Sequence, residues 1–180
     1  MSDEIINRVA NSSLEVVDLE ELYVEGIRNL ISIENFLEEG GVLVESKFRE
    51  KLNSFNWSIY SNNYVAVYCS KEILVPKWAE LLFINYLSPY VKDVVIGSLD
   101  DLEKFLFTRK LLKFDAKKYK DKTVMIKGCS NKPVPQQAMG MVISMLLPYV
   151  KKLSYGEACS SVPLFKKQIE KGGPITITDT

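Results

Sequence analysis

The fold is decided by a stretch that occurs twice, as Pro89-Tyr90-Val91-Lys92 and as Pro148-Tyr149-Val150-Lys151. Each copy belongs to a longer block, from Pro76 to Gly97 and from Pro135 to Gly156, and the blocks are 59 residues apart. Nine of the 22 aligned positions are identical. Together with the segment before it, each block has the pattern of a strand, a loop, a helix and a second strand. The sequence therefore predicts an internal repeat of one supersecondary unit.

Outward from these blocks, strands and helices alternate along the chain. Four strands are predicted, at Tyr64–Tyr68, Val94–Ile96, Thr123–Lys127 and Lys152–Tyr155. The helices between them are predicted at Pro76–Tyr90, Leu99–Phe114 and Pro135–Tyr149. This βαβαβαβ order is typical of an α/β fold, with a mostly parallel sheet and helices on both of its faces. We expect the strand order 2-1-3-4, as in a doubly wound sheet.

The pattern divides the chain into three parts. Residues 1–60 alternate poorly, and they are interpreted as a small N-terminal α+β extension that packs on the main domain. Residues 61–165 form the α/β domain that contains the repeat, and residues 166–180 form a C-terminal tail.

Composition limits the chemistry that this chain can perform. Of its 180 residues 47% are hydrophobic and 26% are charged, which is typical of a globular protein. It has no histidine, so a Ser–His or Cys–His nucleophile pair and a histidine-ligated metal are excluded. Neither a GxGxxG sequence nor a Walker-type loop is present. Any reaction must therefore use cysteine, carboxylate, lysine or tyrosine side chains.

Charge and cysteine content suggest a location and a class of partner. The formal net charge is zero, which gives no support for binding nucleic acid or an anionic membrane. No apolar stretch approaches the ~20 residues of a membrane-spanning helix, and the acidic N-terminus does not resemble a signal peptide. The three cysteines form no CxxC pair, which favours reduced thiols. We therefore expect a cytoplasmic protein, and the repeat is compatible with a monomer or a homodimer.

The three cysteines occur in one short motif. Cys69-Ser70 precedes Val75-Pro76, Cys129-Ser130 precedes Val134-Pro135, and Cys159-Ser160 precedes Val162-Pro163. Each cysteine follows a predicted strand, and a proline suits the first position of a helix because its missing N–H costs nothing there. The strand order 2-1-3-4 would bring strands one, three and four side by side, and these are the strands that precede the cysteines.

This placement predicts a metal site formed by Cys69, Cys129 and Cys159 at the carboxyl ends of the strands. Three thiolates suit zinc with a fourth ligand, for which Glu157 is the nearest candidate, or an iron–sulfur cluster with one open iron. Two alternatives remain open. The protein could be a thiol-dependent enzyme in which Cys129 is the nucleophile and Lys127 lowers its pKa. It could also be an interaction or scaffold protein whose cysteines are structural.

Two cysteine-containing segments, Ile126–Pro135 and Tyr155–Pro163, resemble an uncharacterised bacterial family, the domain-of-unknown-function 2480 family. Asn7–Ser12 and Tyr64–Pro76 are similar to it as well, so the resemblance covers nearly the whole chain. The family has no established activity, and the resemblance therefore names no reaction. It does imply a connection with iron–sulfur cluster assembly proteins as partners, since genes of the family lie near those for that process.

Overall fold

The computed structural model of the protein describes residues 14–70, 73–128, 131–157 and 160–167. Within these ranges there are seven strands: β1 (Leu14–Asp18), β2 (Arg28–Ser32), β3 (Tyr64–Tyr68), β4 (Asp93–Ile96), β5 (Thr123–Lys127), β6 (Lys152–Tyr155) and β7 (Val162–Lys166). The same ranges contain four α-helices: α1 (Glu45–Ser54), α2 (Lys77–Leu87), α3 (Leu99–Leu111) and α4 (Gln136–Leu146). No helix in the described part of the chain is long and apolar enough to cross a membrane.

The strands form two sheets in two compact units. The first unit, Tyr23–Leu112, contains a three-stranded sheet in the order β2-β3-β4, in which all neighbours are parallel. The second unit combines residues 14–22 with the described residues from 113 onward, and its four-stranded sheet has the order β1-β5-β6-β7. Only β7 is antiparallel among the described pairings of this sheet. The prediction of an α/β fold with mostly parallel sheets is confirmed.

The predicted strand order 2-1-3-4 in one sheet is wrong. Two of its neighbour pairs are present, because β3 pairs with β4 and β5 pairs with β6. The pairing expected between β3 and β5 is replaced by two others. Along its other edge β3 binds β2, from Arg28↔Tyr64 to Ser32↔Tyr68, and β5 binds β1, from Leu14↔Thr123 to Asp18↔Lys127. β3 and β5 would have to pair with each other to form one continuous sheet. The edges they would use are occupied by the N-terminal strands β2 and β1.

These pairings also change the division of the chain. β1 and β2 are integral strands of the two sheets, so the compact units differ from the predicted parts 1–60, 61–165 and 166–180. The strand β7 was not predicted. Pro163 lies inside β7 rather than before a helix, and an edge strand tolerates a residue without an N–H. Pro76 and Pro135, by contrast, are the N-cap residues of α2 and α4.

The sheet of the Tyr23–Leu112 unit is covered by helices on both faces, as predicted. On one face Val65 and Val67 of β3 pack in a core with residues of α1 and α2, among them Phe48 and Phe83. On the other face Tyr64 and Ala66 pack with Leu102 and Leu106 of α3. Alternate residues of a strand point to opposite faces, and a strand buried on both faces is therefore apolar throughout.

Several local geometries recur 59 residues apart in the two units. Asn62 and Asp121, which precede β3 and β5, have positive φ angles of 64° and 58°. The N–H of Asn62 donates to Tyr90 O at 3.0 Å, and the N–H of Asp121 donates to Tyr149 O at 2.8 Å. In the first unit, β4 therefore begins beside the turn that precedes β3. In the second unit, β6 begins beside the turn that precedes β5.

Candidate functional site at the carboxyl edge of the four-stranded sheet

The structure separates the strands that precede the three cysteines. Cys69 directly follows β3, in the unit Tyr23–Leu112. Cys129 and Cys159 lie outside the described residues, and they follow β5 and β6 of the four-stranded sheet. Two of the three strands are therefore neighbours, and the third belongs to the other sheet. Cys129 and Cys159 thus follow adjacent strands of one sheet, as expected, whereas Cys69 follows a strand that pairs with neither of them.

Cys69 has the surroundings of a protonated thiol. Its Sγ lies 3.9 Å from the carbonyl oxygen of Ile73, to which it donates. Burial raises the pKa of the Cys69 thiol, and the negative charges of Glu34 and Glu80 raise it further. Glu34 itself accepts a hydrogen bond from the backbone N–H of Ser70 at 2.6 Å, which lowers the pKa of the Glu34 carboxyl. Because the thiolate is the metal ligand and nucleophile, this environment disfavours both roles for Cys69.

Lys127 is the last residue of β5 and lies opposite Asp18, the last residue of β1. Its Nζ is 3.0 Å from Asp18 Oδ2. The hydrogen bond that Lys127 donates to Asp18 and the charge of that carboxylate raise the pKa of Lys127, and the charges of Glu157 and Glu20 raise it further. Lys127 is therefore a cation at neutral pH. Its charge is paired with that of Asp18.

The residues on either side of Cys129 are held by hydrogen bonds. The hydroxyl of Tyr155 in β6 donates to Gly128 O at 3.3 Å. Beyond the cysteine, the N–H of Asn131 donates to Glu20 Oε1 at 2.9 Å. Gly128 has a φ of 139°, and a Cβ there would lie 2.9 Å from Leu19 Cβ, so only glycine fits. The chain is thus anchored at both ends of the segment that contains Cys129.

The residues around Cys159 are anchored in a similar way. The N–H of Gly156 donates to Ile126 O in β5 at 3.1 Å, which continues the β5–β6 ladder beyond the last strand residue. The N–H of Ser160 donates to Glu157 O at 2.9 Å, so the residues that flank Cys159 in the chain are bonded to each other. Glu157 is exposed.

We call this region the carboxyl edge: the ends of β1, β5 and β6 with Asp18, Glu20, Lys127 and Glu157. Three carboxylates and one ammonium group give it an acidic balance, which favours a cation and disfavours a free thiolate. Among the described residues no group of three or more His, Cys, Asp or Glu side chains is arranged to hold a metal ion. That finding does not extend to Cys129 and Cys159, which fall outside the described ranges.

Asp18 and Glu20 were missed in the sequence. Their segment was interpreted as part of a separate extension, whereas it pairs with β5 across more than a hundred residues of chain. The sequence does contain a signal for this edge: the strand Leu14–Asp18 ends in an acidic residue, and Glu20 follows shortly after it. Polar residues are expected at the carboxyl end of a strand where ligands bind.

A cavity of about 420 Å³ lies in the unit Tyr23–Leu112. Phe36, Phe55 and Tyr60 line it with apolar surface, and Lys51 is its cationic group. The Lys51 ammonium already donates to Leu37 O at 2.6 Å and lies 2.9 Å from Glu38 Oε1. Its charge is therefore engaged within the protein, and the cavity offers a ligand mainly apolar contact.

Comparison with protein families identifies one to which the chain is similar. The profile of one family, described as a protein of unknown function (DUF2480), matches residues 3–167. No curated protein and no solved structure matches the chain. The match covers all described residues of both sheets, including every residue of the carboxyl edge.

Proposed function

The chain belongs to the DUF2480 family, whose function is unknown, and we propose that it binds a soft divalent metal ion at the carboxyl edge. The ligands in this proposal are the thiolates of Cys129 and Cys159 and the carboxylate of Glu157. The role is that of an accessory protein in metal handling or iron–sulfur cluster assembly, with proteins of that process as partners.

The pairing of β5 with β6 carries the proposal. These strands are parallel and in register from Thr123↔Lys152 to Ile126↔Tyr155. Cys129 is three residues beyond Ile126, and Cys159 is four residues beyond Tyr155. Parallel neighbours lie about 4.8 Å apart, and their carboxyl ends meet at one edge. The two cysteines therefore follow the sheet at the same end and at nearly the same distance along the chain.

The chemistry of the donors favours Zn²⁺. Two thiolates and a carboxylate fill three of the four positions of a tetrahedral ion and leave one for water or for a donor from a partner. The carboxylates of Asp18 and Glu20 add negative charge near the ion without being ligands. Lys127, held by Asp18, has Glu157 as an electrostatic neighbour and would help to orient that ligand.

The experiment measures the metal content of protein purified anaerobically, together with its visible spectrum. We expect about one equivalent of zinc per chain. The visible spectrum should contain no charge-transfer bands, because such bands come from an iron–sulfur cluster and not from zinc. Cys129→Ser and Cys159→Ser should each lose most of the metal. Cys69→Ser is the matched control, because it removes the same sulfur atom from the other sheet, and it should retain the metal.

Two outcomes would contradict the proposal. Protein that contains neither zinc nor iron, and that takes up none on addition, has no such site. Equal metal loss in all three cysteine variants would indicate a general defect in folding rather than a ligand role for two residues.

Thiol alkylation distinguishes the metal site from a cysteine nucleophile. Under the proposal, Cys129 and Cys159 react slowly with iodoacetamide in the metal-bound protein and faster after chelation. A single thiol that reacts fast regardless of metal would instead support the thiol-dependent enzyme. The proposal also places the protein in a reducing compartment such as the cytoplasm, where thiolates remain available to metals.

We further propose that the two β–α–β units arose by duplication of one unit. The support is the recurrence of local geometry at the sequence offset of 59. Gly97 N–H donates to Val67 O at 2.8 Å, and Gly156 N–H donates to Ile126 O at 3.1 Å. Under this proposal the carboxyl edge is a specialisation of the second unit.

A further inference from the structure

A second charged region lies at the opposite end of the four-stranded sheet. Between residues 113 and 167 the chain has eleven lysines, no arginine and three acidic residues, although the whole chain has a net charge of zero. The fold brings six of these lysines to the end where β5 and β6 begin and β7 ends. We call this set the lysine edge: Lys120, Lys122, Lys151, Lys152, Lys166 and Lys167, all of them exposed.

Backbone hydrogen bonds hold these lysines together. Lys122 O accepts from the N–H groups of Lys151 and Lys152, at 2.8 and 3.3 Å. Lys151 O accepts from the N–H of Lys167 at 2.9 Å. In the sequence itself, only the segment Lys117–Lys122 is visibly basic. The sheet adds the lysines of β6 and β7 to it.

Acidic neighbours balance only part of this charge. Among the described residues, Glu15 binds Lys122 at 2.9 Å and Asp121 lies 3.8 Å from Lys167. Lys152 and Lys166 are directly opposite each other on the antiparallel pair β6–β7. Like charges at such positions destabilise a sheet. A surface that carries uncompensated charge at a cost in stability is suited to an acidic partner.

We infer that the lysine edge is a docking surface for an acidic face of a partner protein. Lysines provide point charges that steer an acidic protein and accelerate association. Nucleic acid is disfavoured by two observations. The set contains no arginine, the residue that recognises phosphate in a bidentate manner. The nearby aromatic ring of Tyr119 is 5% exposed and stacks on Phe114 at 5.8 Å, so it offers no platform for a base.

The inference is independent of the proposed metal site, because it uses the other end of the sheet and no cysteine. Its test is the anisotropy of a fluorescein-labelled oligoglutamate peptide titrated with the full chain at low and at physiological ionic strength. We expect binding at low salt that weakens as salt screens the charges. The double variant Lys151→Glu/Lys166→Glu should bind at least about tenfold more weakly, because a tenfold change requires only 1.4 kcal/mol.

The matched control is Lys77→Glu/Lys110→Glu, which makes the same change of net charge at exposed lysines of the other unit. It should weaken binding of the peptide much less than Lys151→Glu/Lys166→Glu does, because its substituted residues are not part of the lysine edge and act only through the net charge. Equal loss of binding in both double variants would overturn the inference, because net charge alone would then explain it. Tighter binding to a DNA duplex or to phosphatidylglycerol vesicles than to the peptide would also overturn it.

Thermal unfolding tests whether weaker peptide binding by a variant results from a folding defect. The single variant Lys166→Glu places opposite charges on β6 and β7, so its unfolding midpoint should rise by about 1–3 °C. A variant that is more stable and yet binds the peptide more weakly supports the docking surface. A variant that is more stable and binds as before contradicts it.

Discussion

Lys127 at the end of β5 and Asp18 at the end of β1 form an ion pair, with Nζ 3.0 Å from Oδ2, across the first and second strands of the four-stranded sheet. The pair joins two segments that are more than a hundred residues apart in the chain. It also places the cation of the carboxyl edge beside a carboxylate that no local pattern would have connected with it.

The pH dependence of stability should report on this pair. The hydrogen bond and charge of Asp18 raise the pKa of Lys127 above its ordinary value of 10.5. A group whose pKa is raised by folding binds its proton more tightly in the folded state. The contribution of Lys127 is therefore fully present below pH 10.5, and it is lost as the pH rises through the raised value.

We therefore expect Asp18→Asn to be less stable than the original protein in urea at neutral pH, and the difference to shrink above pH 10.5. Lys122→Met is the control, since it removes a lysine bound to exposed Glu15 at the other end of the same sheet. A difference between Asp18→Asn and the original protein that stays constant up to strongly alkaline pH would contradict the role of Lys127.

The thiol of Cys69 should become more reactive when Glu34 loses its charge. After burial, the charge of Glu34 is the largest cause of the raised pKa of Cys69. In a Cys129→Ser/Cys159→Ser background, Glu34→Gln should shift the pH profile of Cys69 alkylation to lower pH. Glu39→Gln changes an exposed carboxylate in the same unit and should leave the profile in place. An unchanged profile in Glu34→Gln would contradict the role of Glu34 and leave burial and Glu80 as the causes of the raised pKa.

Glycine at the carboxyl edge is required for close contact between backbone segments. Gly128→Ala should lower the free energy of unfolding by about 1–3 kcal/mol, because alanine is strained at positive φ and its Cβ would press on Leu19. Gly140→Ala is the control: Gly140 lies in α4 with no atom within 4 Å of an added Cβ. It should stabilise the protein by about 0.5–1 kcal/mol, as alanine does in a helix. Urea unfolding measures both, and equal effects would contradict this account.

Local structure could be predicted from the sequence where one residue pattern determines one element. The bounds of β5 and β6 agree with the prediction, because an apolar run between turn residues allows few alternatives. The helix predicted from Leu99 begins at Leu99, and a capping box between Ser98 and Asp101 fixes that start. Such signals are local, and they do not depend on which strands become neighbours.

Strand pairing could not be predicted, because an apolar parallel strand accepts any suitable neighbour along its edge. The pairing of β1 with β5 depends on contacts that are distant in sequence. The residues of the predicted site divide in the same way, into those determined by local sequence and those that depend on strand pairing. Lys127 and Glu157 are local to β5 and β6, whereas Asp18 and Glu20 join this edge only through the pairing of β1 with β5. Cys69 belongs to the predicted site because the expected order 2-1-3-4 places β3 beside β5, a pairing that the structure does not contain.

The turns that precede β3 and β5 provide a test of their shared geometry. Asn62→Ala and Asp121→Ala should each lower the free energy of unfolding by about 1–2 kcal/mol, because both residues have positive φ and alanine lacks the local hydrogen bonding that makes Asn and Asp tolerant of it. Asn53→Ala is the control, since this exposed residue lies within α1, where alanine is the better helix former. Urea unfolding should show similar losses for the first two variants and none for the third. A loss at only one turn would mean that the two units do not rely on this conformation equally, which would count against their origin in one duplicated unit.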